Sequence, residues 1–316
     1  MREAARSLRV ATKRFSGGRG LLGVAWLGRI VWMRMDRLGI LTDEVCADFE
    51  EAVGWVAREG LGHVEVRVVN GTNVVELDDG AVREVGRKVA AKGLVVSAIA
   101  SPLFKCGLDP ERPVASGDRF GQKEEGVEAH FTKLERVIEI ARELKAKRIR
   151  IFSFWREREP SKYLGEIVAH LKRAGAVAAR AGVLLLVENE PSCNGGFAEE
   201  VGRIVRGVDS PAVKALWDPG NEAYGGREAF PLGYSCLKDV LAHVHLKDAY
   251  MDREGKARCV PIGSGSVDWL GQFRALNADG YEGLFTIETH FSPAGGSKKL
   301  GSKMTLDAVK AIWGEV

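Results

Sequence analysis

Residues 183–192 read VLLLVENEPS: five apolar residues run straight into Glu188, and a proline-containing loop follows at once. A short unbroken apolar run closed by a turn signal has the length and content of a strand buried on both faces, as in a parallel sheet. Three later segments repeat the arrangement. VKALWDPGN (213–221) reaches Asp218, LAHVHLKDA (241–249) reaches His245, and GLFTIETHF (283–291) reaches Glu288. If such strands close into a barrel, their C-terminal ends bring three carboxylates and one imidazole to one point.

Working outward, four more apolar runs precede these. Together the candidate strands are RLGIL (37–41), HVEVRVV (63–69), LVVSAIA (94–100), KRIRIFSF (147–154), VLLLVE (183–188), VKALWD (213–218), LAHVHLK (241–247) and GLFTIET (283–289). Amphipathic stretches alternate with them. DFEEAVGWVAREG (48–60) sets Phe49, Val53 and Val56 on one face and stops at a glycine. HFTKLERVIEIARELKA (130–146) lines up Leu134, Val137, Ile138, Ala141 and Leu144. Eight strand–helix units of roughly 35 residues predict an α/β fold of the (β/α)8 TIM-barrel type. An open doubly wound sheet would carry a glycine-rich phosphate turn after its first strand, and LGILTDEVCAD (38–48) has none. One barrel domain over 36–316 is the expectation.

Charge sets the N-terminus apart. Residues 1–35 carry eight Lys or Arg against the single acid Glu3, a net +7, which leaves the rest of the chain at −4 within a total of +3. The body is therefore mildly acidic, which argues against a nucleic-acid surface. The apolar stretch LLGVAWLGRIVWM (21–33) is broken by Arg29 and is not followed by a small-residue cleavage site. Residues 1–35 are read as a disordered extension, or as the product of a start placed too early, with Met33 or Met35 as the true one. No apolar stretch is long enough to span a membrane. Five scattered cysteines without a CxxC pair read as reduced thiols of a cytoplasmic protein.

Oxygen ligands with one imidazole suit a hard or borderline divalent ion, with Mn2+ the first expectation and Mg2+, Co2+ or Zn2+ as alternatives. Strand alternation puts Glu188 and Glu190 on one face, and likewise His243 and His245. Depth separates them: Glu188 closes its apolar run and His245 lies at the strand mouth, whereas His243 sits two residues deeper. Depth thus favours Glu188 and His245, which join Asp218 and Glu288 as the candidate metal set, with Glu190 as a support of the ligands or a substrate contact.

These same segments carry a family resemblance. ENEPS (188–192), WDPGN (217–221), HVHLKDA (243–249), VPIGSGSVDW (260–269) and FTIETH (285–290) resemble, in order, motifs of the sugar-phosphate isomerase/epimerase superfamily, the xylose isomerase-like or AP endonuclease family 2 group. The resemblance runs over about 36–316 and is strongest from 183 to 290. It implies the same four metal ligands and an enzyme that enolises a sugar or a sugar-like hydroxy-ketone. It also implies Glu188 and Glu288 as a proton-transferring pair that would isomerise or epimerise the substrate, and a possible homo-oligomer. One departure is plain: ketose 3-epimerases place a histidine where this chain has Asn221, and an amide cannot carry a proton near neutral pH.

Further candidates line the expected rim: Glu65 and Arg67 after strand two, Ser101 and Lys105 after strand three, Trp155 with Arg156 after strand four, and Asn221, Lys247 and Arg258 later. Asp248 is expected to orient the His245 imidazole from behind. The alternative reaction is a dehydratase of inosose or dehydroshikimate type, since loss of a hydroxyl can follow the same enolisation. An endonuclease IV-like enzyme would need three zinc ions and more histidines than the chain supplies, and a non-catalytic sugar-binding barrel would not need four intact ligands. The glycines of GSGS (263–266) and PAGGS (293–297) suit either an anion or an ordinary loop.

Overall fold

The structure, a computed structural model, describes residues 34–112, 114 and 116–316. The extension expected over residues 1–35 lies outside the described residues, save Arg34 and Met35. Eight strands form the barrel: β1 (Leu38–Leu41), β2 (His63–Val66), β3 (Val95–Ala100), β4 (Arg148–Ile151), β5 (Leu184–Glu188), β6 (Val213–Trp217), β7 (Leu241–Leu246) and β8 (Leu284–Ile287). Each pairs in parallel with its sequence neighbour, and β8 closes on β1 through Leu38 opposite Phe285. The chain is a (β/α)8 barrel.

Every strand falls inside its predicted run, but two strands stop three residues short of the ends of their runs. HVEVRVV leaves the barrel at Val66, and Val68–Val69 turns into a small antiparallel hairpin with Thr72–Asn73. KRIRIFSF leaves at Ile151. Beyond it the N–H groups of Phe152 and Phe154 donate instead to the carbonyls of Leu103 and Phe104, in the loop that follows β3. Two register shifts adjust the barrel's inner face. One lies where Glu65 pairs with Ala98, and the other lies where Leu216 pairs with His243.

The helices cover the outside. They are α1 (Phe49–Arg58), α2 (Asp79–Ala91), α3 (Val127–Glu143), α4 (Leu164–Ala181), α5 (Ala198–Val208), α6 (Pro219–Tyr224), α7 (Trp269–Ala278) and α8 (Lys298–Trp313). Asp48 caps α1 by accepting from Glu51 N at 2.7 Å, and the helix buries Phe49, Ala52, Val53 and Val56. The predicted stripe on α3 is buried as expected. Between α7, α8 and the closing strand, Phe273, Phe285 and Trp313 pack edge to face at 5.6 to 6.0 Å. Among the described residues no helix is long and apolar enough to cross a membrane.

Inside the barrel the packing is unusual. Glu65, Arg150, His243 and Thr286 are all buried in the space that branched apolar residues commonly fill. Burying charge is unfavourable unless every group finds a partner. The partners here lead directly to the candidate site.

Candidate metal centre and active site

The strand ends bring Glu188, Asp218, His245 and Glu288 together, each buried and each offering a ligand atom within 4.8 Å of the others. Three of the four positions follow from simple termination: Glu188 ends β5, and Asp218 and Glu288 follow β6 and β8 directly. Pro219 occupies the first turn of α6, so Asp218 becomes that helix's N-cap and accepts from Asn221 N at 3.0 Å. Asn189 ties the β5 and β6 ends together, accepting from Asp218 N at 2.8 Å and donating to Asp218 O at 2.9 Å.

His245 is fixed from below. Its Nε2 lies 3.2 Å from Glu65, while Nδ1 faces Glu188 and Glu288, each at 3.2 Å. Glu65 in turn meets His243 Nε2 at 2.5 Å and Thr286 Oγ1 at 2.6 Å. Burial alone would hold the His245 imidazole neutral, but Glu65, Glu288 and Glu188 outweigh it and raise its pKa well above the ordinary value. The same histidines hold Glu65 well below the carboxylate range despite its burial.

Cations close the rest of the shell. Arg67 Nη1 donates to Glu288 at 2.6 Å, and its other edge holds Asp43 at 2.9 Å and Glu44 at 2.8 Å. Arg150 Nη1 bridges Glu188 at 3.3 Å and Glu288 at 3.2 Å. The Lys247 ammonium reaches Asp218 at 2.7 Å, Glu288 at 3.0 Å and Asn221 Oδ1 at 3.1 Å. Burial, with Glu188 and Glu288 nearby, pushes Asp218 up even against Lys247. Crowded buried carboxylates with an ammonium set among them are a donor set that fits a hard divalent ion. Glu188, Asp218, His245 and Glu288 would hold it.

Above this floor opens a cavity of about 600 Å3, lined in part by Lys105, Phe120, Arg150, Phe152, Glu188, Glu190, Asn221, Lys247, Glu288 and His290. Lys105 pairs with Glu190, whose other oxygen accepts from Ser192 Oγ at 2.8 Å. Phe120 lies over Arg67, Lys105 and Arg150, with its ring centroid 4.6 to 5.2 Å from the charges.

Five predicted rim residues stand elsewhere. Glu65 lies beneath the cluster as the support of His245, because β2 ends one residue later and points it into the barrel. Ser101 is buried and donates to Arg150 O at 2.6 Å. Trp155 turns away from the central cavity, donating Nε1 to Glu124 at 3.0 Å, and lines a neighbouring recess. Arg258 sits on an outer hairpin, half exposed, and pairs with Asp252 at 2.9 Å. Asp248 makes no bond to His245; it accepts backbone N–H groups from the loop at 263–267. Arg67 stays at the site but is saturated by three carboxylates. Arg150, Phe120, Phe152 and His290 were not anticipated. Arg150 shares its strand phase with Arg148 in RIRI, and only the closed barrel shows that this phase points inward.

A profile described as a xylose isomerase-like TIM barrel matches residues 53–308. The inosose dehydratase of Geobacillus thermodenitrificans is 28% identical over 143 residues, covering 40% of this chain and 47% of that protein. Its counterpart in Bacillus velezensis is 31% identical over 139 residues, covering 39% and 46%. The chain therefore matches about half the length of these curated relatives. Among solved structures, the 3-keto-D-glucoside 4-epimerase of E. coli superposes with a TM-score of 0.60 at 20% identity, covering 87% of this chain and 98% of that one. A D-psicose 3-epimerase of Clostridium cellulolyticum, solved with D-tagatose, gives 0.65 at 14% identity, covering 87% and 99%. A xylose isomerase-like protein of Mycobacterium smegmatis, solved with magnesium, gives 0.62 at 17%, covering 84% and 88%. The structural likenesses carry the fold, and the profile spans most of the barrel: the chain belongs to the xylose isomerase-like TIM barrel family.

Proposed function

We propose that this protein is a divalent-metal-dependent enzyme that enolises a polyhydroxy-ketone, and that its reaction is loss of water rather than epimerisation. The observation that carries the choice is the unequal state of the two carboxylates. Glu288 Oε1 accepts from both Arg67 and Arg150, and Glu288 Oε2 meets Lys247 and His245. A metal ion held by Glu288 would take the place of His245 or Lys247 at Oε2 while both guanidiniums stay on Oε1, so neither oxygen is open to a substrate proton. Glu188 meets only His245 at Oε1 and Arg150, at 3.3 Å, at Oε2.

The bound metal would supply positive charge beside the substrate carbonyl and so acidify the adjacent C–H. Glu188 is the group that takes this proton. Glu288, clamped by two guanidiniums, stays ionised and fixes the geometry. Two-base epimerisation needs a second carboxylate that gains and loses a proton on the opposite face, and Glu288 is poorly placed for that work. Elimination needs one base only. The electron pair of the broken C–H bond forms the double bond, the β-hydroxyl departs, and the proton held by Glu188 leaves with it as water. Asn221, in place of a titrating histidine, agrees with a reaction that asks for no further acid there. The two inosose dehydratase relatives point the same way.

Proton NMR in D2O with Mn2+ and a panel of inososes and ketoses tests the assignment. A dehydrated enone or its diketone tautomer is expected, lost in Glu188→Gln. An epimer that has gained solvent deuterium without loss of water would replace dehydration by the epimerase reading.

A further inference from the structure

Phosphate in (β/α)8 barrels is commonly held by the loops after the seventh and eighth strands, where successive backbone N–H groups converge. In this chain Gly263–Ser266 stands in that position, after β7 and the hairpin that follows it. Its N–H groups do converge, but on the chain's own carboxylate. Gly263 N and Gly265 N donate to Asp248 Oδ2 at 2.9 and 3.1 Å; Val267 N and Ala249 N donate to Oδ1 at 3.2 and 2.9 Å. Asp248 is completely buried, and a Cβ at Gly265 would fall 2.2 Å from its Oδ1. The loop is shaped around this side chain.

The cavity itself offers an anion no better reception. Lys105 is matched by Glu190 and the Asp118 carbonyl. Arg150 is matched by Glu188, Glu288 and the Ala100 carbonyl. Lys247 is matched by Asp218, Glu288 and Asn221. Tight recognition of phosphate or carboxylate wants a paired guanidinium edge. The edges of Arg67 and Arg150 are already spent on side-chain and main-chain oxygens. A charged substrate group would instead face Glu188, Glu190 and Glu288 across the cavity.

We propose that the active site selects an uncharged polyhydroxy-ketone: the cations of the cavity are matched by the chain's own oxygens, and the one backbone nest formed by the 263–267 loop is already filled by Asp248. The proposal rests on the enolising reading of the site, and it separates the inosose type of dehydratase, with a neutral ring, from the dehydroshikimate type, which must seat a carboxylate. The cavity's volume of about 600 Å3 lies within the ordinary range for small-molecule sites.

The test has two arms on the Mn2+-loaded protein. In the first, calorimetric titration and D2O exchange compare a neutral inosose with 3-dehydroshikimate, and D-fructose with D-fructose 6-phosphate. The neutral member of a pair should bind and exchange at least tenfold better. Equal or better handling of either anion overturns the proposal. Binding of neutral ligands without deuterium uptake would instead sink the enolising reading while leaving the charge selection standing. The second arm needs no turnover: thermal unfolding is followed against sulfate, a dianion that mimics phosphate. The wild type should show no saturable protection, whereas Asp248→Gly, with the nest emptied, should gain it. Saturable protection of the wild type by sulfate, with a Kd tighter than about 1 mM, also overturns the proposal. If Asp248→Gly fails to fold, the wild-type titration and the matched ligand pairs still decide.

Discussion

Glu65 serves two imidazoles at once, meeting both His243 and His245 while Thr286 holds it in place. Its charge fixes which face of the His245 ring points at Glu188 and Glu288. A carboxylate behind a metal-binding imidazole typically contributes 10- to 100-fold in metal affinity. Glu65→Gln should therefore weaken Mn2+ binding by roughly that factor, read by calorimetry or by the EPR signal of free Mn2+. Unchanged affinity would relegate Glu65 to packing. The sequence showed Glu65 but not its depth. HVEVR reads as a strand running to the rim, and the register shift opposite Ala98 that seats Glu65 inside appears only once the strands are paired. Arg150 was hidden differently. A charge in an apolar run is read as facing outward until both faces of the strand are known to be covered.

At the scale of elements, α6 and α5 are locked by a buried acid. Glu222, on α6, accepts from Ala198 N at 2.9 Å at the start of α5, and its nearest charged help is Arg227. Burial raises its carboxyl to about 7, against 4.5 for an exposed glutamate. The folded chain then holds a proton that the unfolded chain releases. The stabilising contribution is complete below the unfolded value and is lost as pH rises through the folded one. The loss amounts to about 3 kcal/mol across that window at most. Glu222→Gln keeps an acceptor for Ala198 N and removes the ionisation. Its melting temperature should match wild type near pH 5 and exceed it near pH 8. A constant difference between the two across that range would remove Glu222 as the source. The proline and the aspartate cap of this helix both lie within WDPGN, so its start rests on local signals. The same unit's outer segment, at 229–240, was not legible. It is broken into short turns whose order depends on packing against β6 and α5.

For the whole barrel, the balance of buried charge around the site sets the main expectation. Around the site the carboxylates Asp43, Glu44, Glu65, Glu188, Glu190, Asp218 and Glu288 face the cations Arg67, Lys105, Arg150 and Lys247 and outnumber them. A divalent ion would offset much of that excess negative charge when the imidazoles are neutral. The eight-unit rhythm of the sequence was enough to predict the barrel, since each apolar run and each amphipathic stripe is a local pattern. This imbalance is a property of the closed ring, and four strand-end ligands hinted at only part of it. Filling the deficit should stabilise the fold: Mn2+ at 100 times its Kd should add about 2.7 kcal/mol and raise the melting temperature by several degrees, reversed by EDTA. The gain should shrink as pH falls. His245 is held protonated by Glu65, Glu288 and Glu188 against the effect of burial, and the ion must displace that proton to bind. Melting curves at pH 6 and pH 8, each with and without Mn2+, check both statements. A stabilisation that grows towards acid pH would contradict the role of His245 as a ligand, and no stabilisation at either pH would contradict the site itself.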